Sequence, residues 1–192
     1  MGFTQNVDVL KPLVQTGQLQ IANHTFSHPD LKTLKDDQIK HELEKNEAEI
    51  QRVFGVSAKP YFRPPYGSYD ARVLKVAASV GYTRPVWEGT LGDEAKTSAR
   101  VIYMRSLKYV LPQRILLGHL NFTTIIPLLD RLAGLVAERK LITVTLNDYF
   151  EGLTEEERKA SEPKPEDKKD EKKEEPASPA PAAGSGLGTT GN

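Results

Sequence analysis

The chain predicts an α/β fold in which a parallel sheet or barrel is wound with helices, and three observations predict it. Short apolar runs alternate with stretches of helical period, the connections between them are short, and polar residues with chemistry to offer fall just after the runs. His24 follows the first run, Arg63 the second, Trp87 and Asp93 the third, and His119 the fourth. In parallel α/β folds that end of the strands is the functional rim.

Leu19 to Ala22 is read as a short strand ending at His24. From about Thr33 to Phe54, the residues Ile39, Leu43, Ile50, Val53 and Phe54 form one helical stripe, which Gly55 stops. Lys59 to Phe62 is extended and leads into Arg63-Pro64-Pro65. Asp70 caps a helix carrying Val73, Leu74, Ala77 and Val80, with Gly81 as its stop. Tyr82 to Trp87 follows as a strand, with Pro85 placed where no ladder donor is needed. Arg114 to Leu117 is a short strand ending at Gly118-His119. Thr124 to Arg139 is helical, with Pro127 tolerated in the first turn. Leu141 to Thr145 is expected to close the sheet, before a turn through Asp148 to Phe150.

A length of 192 residues suits one domain with a sizeable core, here residues 1–153. Residues 154–192 change character, with a Lys/Glu run, then Pro176-Ala177-Ser178-Pro179-Ala180-Pro181, then a Gly/Thr-rich end. So little apolar surface predicts disorder, as a spacer, a surface-interaction tail or a plain solvated tail. The formal charge is zero, from 26 basic and 26 acidic side chains, so no basic field points to nucleic acid. There is no cysteine, which excludes disulfides and thiolate metal sites. No apolar run reaches the roughly 18 residues of a membrane span. Met1 to Leu10 lacks the basic start and apolar stretch of a signal peptide.

Three motifs carry chemistry. In His24-Thr25-Phe26-Ser27-His28 the imidazoles are four residues apart and can reach one ion from a turn or helical stub, Pro29 disfavouring a longer helix. On its own the pattern also fits two surface histidines. In Arg63-Pro64-Pro65-Tyr66-Gly67 the prolines hold the backbone extended and Gly67 permits a tight turn, a rigid rim that aims an arginine fork and a backbone N–H. Leu117-Gly118-His119 puts an imidazole at a strand end. His41-Glu42 lacks a histidine at position 45 and is read as a polar helix face.

In this order and spacing the three segments resemble the second, third and fifth motifs of the NodB-type polysaccharide deacetylases (carbohydrate esterase family 4), over roughly Val9 to Phe150. The resemblance implies a distorted (β/α) barrel, here partial, and a hydrolase that removes acetyl groups from N-acetylated, or in some members O-acetylated, polysaccharide outside the cytoplasm. It implies a divalent metal, zinc being the expected ion, held by His24 and His28. Arg63 would orient the base, the backbone N–H at Tyr66 would stabilise the oxyanion, and His119 would protonate the departing amine with Asp93 as its carboxylate partner. Leu117 would line the acetyl pocket, and Trp87 would serve as pocket or core wall.

The sequence departs from that family in two places, the first being Asp93-Glu94, where the family often has Asp-Trp. The family opens with a Thr-Phe-Asp-Asp segment that supplies the base and a third ligand, and no such segment occurs among the 192 residues. Asp30, Asp70 and Asp93 do not match a ligand position. The expectation is therefore very low or no hydrolysis by the chain as it stands. Either Met1 falls inside the barrel of a longer deacetylase, which would leave a sheet edge unpaired, or the chain is a non-catalytic carbohydrate-binding or scaffold module.

Overall fold

Parallel pairing begins at Asn23, whose N–H donates to the Tyr61 carbonyl (3.1 Å) and whose own carbonyl accepts from Arg63 N (2.8 Å). In the computed structural model, which describes residues 6–86, 89–94, 97–119 and 122–152, this isolated bridge replaces the expected strand Leu19–Ala22. β1 (Tyr61–Phe62) continues the pairing to β2 (Arg84–Pro85), also parallel. Pro85 survives on this ladder because the donors are its neighbours, Arg84 N to Pro60 O and Val86 N to Phe62 O. A second parallel pair joins β3 (Gly89–Thr90) to β4 (Leu116–Leu117). The strands are shorter than the apolar runs suggested, but their order and direction are those of an α/β barrel segment.

Helices α1 (Val7–Gln15), α2 (Asp36–Phe54), α3 (Ala71–Ser79), α4 (Ala99–Tyr109), α5 (Leu129–Glu138) and α6 (Leu146–Glu151) flank the pairs. The stripe on α2 buries Ile39, Leu43, Ile50 and Phe54, and Gly55 ends it in the left-handed conformation (φ 76°), which glycine adopts without a Cβ clash. Asp70 caps α3 by accepting from Val73 N at 2.8 Å, as expected. These helices enclose a core with Phe62, Val73 and Tyr82. A smaller core of Leu91, Ile102, Ile125 and Leu128 lies under α4 and α5.

Four expectations are corrected. α1 was missed because Pro12 breaks the helical pattern in sequence, yet Val14 is buried and Leu10 packs on the core. α4 was missed because its inner face buries Ile102 and Ser106 rather than an apolar stripe. The stretch 141–145 is no strand: the amides of Ile142, Thr143 and Val144 have no acceptor among the described residues. A cleft of about 1020 Å³, lined by Leu19, Ile21, Ser57, Ile142 and Val144 among others, lies beside it. Finally, the expected turn at 148–150 is α6, which Thr145 caps with mutual hydrogen bonds to Asp148. Trp87 and the tail beyond Gly152 lie outside the described residues.

Candidate active site

The histidine motif is held from below by two polar anchors. Asn23 is fully buried, and its Nδ2 donates to Leu43 O (2.9 Å) and to Tyr82 Oη (2.7 Å). Its Oδ1 accepts from Thr25 N (2.8 Å) and Asn46 Nδ2 (2.9 Å), so every polar atom of the amide is used. Glu42 reaches up from α2 to take Phe26 N (2.9 Å), Ser27 N (2.7 Å) and Ser27 Oγ (2.7 Å). The polar helix face read at His41-Glu42 is thus half an anchor. Between these clamps Thr25 (φ 65°) and His28 (φ 61°) take left-handed conformations, uncommon for residues with a Cβ. His24 and His28 therefore sit on a sharp bend, not a helical stub, and their rings meet edge-on with centroids 4.7 Å apart.

His24 is tied to Arg63 twice. Its Nδ1–H donates to the Arg63 carbonyl (2.6 Å), and its Nε2 accepts from the Arg63 guanidinium (2.5 Å). Because a carbonyl only accepts and a guanidinium only donates, the ring is the neutral Nδ1–H tautomer. Burial pushes its pKa down to about 4, and the nearby positive charges of Arg63, His28 and His119 lower it further, against the opposing hydrogen bond to the Arg63 carbonyl. The Arg63 pKa is itself lowered by burial, partly offset by the negative charge of Glu94.

Pro64 and the buried Pro65 deliver the chain to Tyr66, which sits at φ 58° inside a single 3₁₀ turn, Pro65–Gly67. The Tyr66 N–H has no acceptor among the described residues. Its ring is largely exposed (68%) and lies edge-on to His28 at 4.7 Å.

Across the rim, Asp93 and His119 form the second half. Asp93 is completely buried; its Oδ2 accepts the His119 backbone N–H (2.5 Å) and its Oδ1 faces His119 Nδ1 at 3.0 Å. That leaves Nε2 of His119 without a partner among the described residues. Leu117 pairs with Thr90, and its carbonyl accepts from Leu91 N (2.9 Å), which brings the β3 and β4 ends together. Gly118 keeps the approach open, since a Cβ there would stand 3.3 Å from the Leu91 side chain and 3.8 Å from Asp93 Oδ2. Glu94, which stands where the resemblance leads one to expect Trp, brings a half-exposed carboxylate to 3.9 Å from His119 Nδ1.

The donor chemistry of His24 and His28 suits a divalent ion, for each offers an imidazole, and the His24 tautomer puts its lone pair on Nε2, where the Arg63 guanidinium now donates. The set stops at two. Asp30 caps a 3₁₀ turn at Lys32 N, Asp70 caps α3, and Asp93 is engaged by His119. Asp93, Glu94 and His119 are the one group of three ligand-type side chains gathered within 4.8 Å among the described residues. There His119 Nδ1 is already hydrogen-bonded to Asp93.

With this geometry in place, the comparisons define the class. Residues 3–85 match the polysaccharide deacetylase family. The chain is 32% identical to the peptidoglycan-N-acetylmuramic acid deacetylase PdaA of Bacillus subtilis over 58% of its own length and 43% of that protein. It shares its fold with a family 4 carbohydrate esterase from Streptomyces lividans solved with acetate (TM-score 0.66, 24% identity, 77% of this chain and 75% of that one). It also shares it with BA3943, a family 4 pseudoenzyme from Bacillus anthracis (TM-score 0.66, 22% identity, 78% and 52%). Over residues 3–85 the chain is similar to the polysaccharide deacetylases, and its described part has the NodB-type α/β fold. It spans less than half the length of the first curated relatives it matches. Among the described residues, no helix is long and apolar enough to cross a membrane.

Proposed function

We propose that the chain carries the imidazole pair, the oxyanion donor and the acid of a metal-dependent deacetylase centre for N-acetylated polysaccharide. The observation that carries this reading is the His119–Asp93 pair, facing the His24–His28–Arg63 cluster closely enough for His119 to lower the His24 pKa. In this reading a divalent ion, zinc by its fit to imidazole, would be held by His24 and His28 and would polarise the acetyl carbonyl. The chain's own groups do the rest. The Tyr66 N–H meets the developing oxyanion, Leu117 lines the acetyl side, and His119 passes a proton from Nε2 to the departing amine. Asp93 accepts the Nδ1–H and holds the ring so that, in its doubly protonated form, the Nε2–H is aimed at the amine. The acetylated relatives' substrates make peptidoglycan or chitin-type glycans the partner class. Function outside the cytoplasm is part of the same proposal and rests on the family alone.

A base and a third ligand are missing from this set, so the 192 residues by themselves hydrolyse slowly or not at all. Acetate release from N-acetylglucosamine oligomers, with zinc present, tests this. Release near the blank is expected, and turnover at the roughly 1–10³ s⁻¹ of ordinary enzymes would overturn it.

A second reading, a carbohydrate-binding or scaffold module, is favoured by the exposed rings of Tyr66 and Tyr69 beside the rim. Co-pelleting with insoluble N-acetylated polysaccharide separates the two. A binding module pellets equally with and without chelator, whereas a metal-organised site releases the glycan when chelated.

A further inference from the structure

We propose that the Arg63 guanidinium is a built-in cation on the ligand face of His24, and that it competes with a divalent metal ion for His24 Nε2. The inference rests on reading His24 and His28 as the ligand pair. Its observation is separate: the lone pair a metal needs is the one Arg63 already uses, at 2.5 Å.

A zinc–imidazole bond is about 2.0–2.1 Å long and points along that same lone pair. Metal and guanidinium therefore cannot occupy Nε2 together. Arg63 is half-buried and forms no ion pair with a carboxylate among the described residues, so its charge stays at the site, offset only in part by the more distant Glu94. An incoming dication must displace the hydrogen bond and then stand close to a fixed positive charge in a partly desolvated place. The other His24 contact is unaffected, because Nδ1–H donates to the Arg63 carbonyl, a backbone group that any residue at position 63 supplies. The arginine thus pre-sets the tautomer a metal would use through its backbone while blocking it through its side chain.

This makes a counter-intuitive prediction. If an arginine only supports a metal site, removing it weakens metal binding or leaves it alone; a competing cation, when removed, makes binding tighter. Zinc titration of the full chain by calorimetry, on wild type, Arg63→Gln, Arg63→Lys, His24→Ala and His28→Ala, decides the matter, with thermal melts confirming that each variant is folded.

Arg63→Gln should bind zinc about tenfold tighter, the loss of roughly one charged hydrogen bond, while Arg63→Lys, which keeps the charge, should gain less. The two histidine variants should lose most of the affinity. Unchanged or weaker binding by Arg63→Gln, with the histidine variants still impaired, overturns the competition but leaves the ligand pair standing. Unchanged binding in both histidine variants overturns the ligand pair and the competition with it.

Discussion

Glu42 and Ser27 are joined by two hydrogen bonds, one to the amide and one to the hydroxyl, each 2.7 Å, across fifteen residues of sequence. A third bond, from Phe26 N, makes the carboxylate a cradle for the bend that separates His24 from His28. Glu42→Ala removes an anionic acceptor from two backbone donors. A stability loss of about 1–2 kcal/mol is expected by urea unfolding. Zinc affinity should fall several-fold, because the spacing of the imidazoles is no longer held.

Asn23→Ala should cost more. Four hydrogen bonds end on this buried amide, and truncation takes away the side-chain acceptor of the Thr25 amide inside the protein. About 2–4 kcal/mol is expected from denaturant melts. A loss below about 0.5 kcal/mol would show that water replaces the amide without penalty.

Glu47 sets an acid limit on stability. Burial pushes its pKa up, but hydrogen bonds from Ser57, Tyr82, Ala58 and Gln51 together pull it below the ordinary carboxylate value. The folded state therefore holds the proton less tightly than the unfolded chain. This contribution is fully present above the ordinary carboxylate value and is lost as pH falls through the folded value. Glu47→Gln should lower the melting temperature at neutral pH and flatten its decline below about pH 5. Parallel acid profiles for the two proteins would refute the assignment.

Asp93→Asn tests the orientation of His119. An amide in this place can still accept the His119 backbone N–H, but its NH₂ group then faces a ring N–H. The imidazole should answer by moving its proton to Nε2, which nitrogen-15 shifts of His119 report directly. A ring that keeps its proton on Nδ1 would mean that Asp93 is not what sets the tautomer.

How far the sequence is legible depends on where the information sits. The stripe of Ile39, Leu43 and Ile50, the cap at Asp70 and the left-handed stop at Gly55 are local, and the structure shows each as read. The rim residues were legible because they follow short parallel strands, so one rule of topology brings His24, Arg63, Asp93 and His119 to the same side. What escaped is non-local. Glu42 looked like helix surface because its partner is a bend distant in sequence, and Glu47 and Tyr82 meet only after α2 packs on β2's approach. The segment 141–145 misled for a related reason: alternating apolar residues announce a strand, but a strand needs a neighbour.

The cleft beside that segment bears on how the molecule breathes. The amides of Ile142, Thr143 and Val144 bond to no described part of the protein, whereas Asn23 and Arg63 share their backbone groups across the pairing. Deuterium should therefore enter 142–144 within the dead time of an ordinary exchange experiment, with no unfolding required, while Arg63 and Val86 wait for a cooperative opening. The paired backbone at Arg63 and Val86 is sealed in the native state, and the unpaired segment beside the cleft exchanges without waiting for that opening.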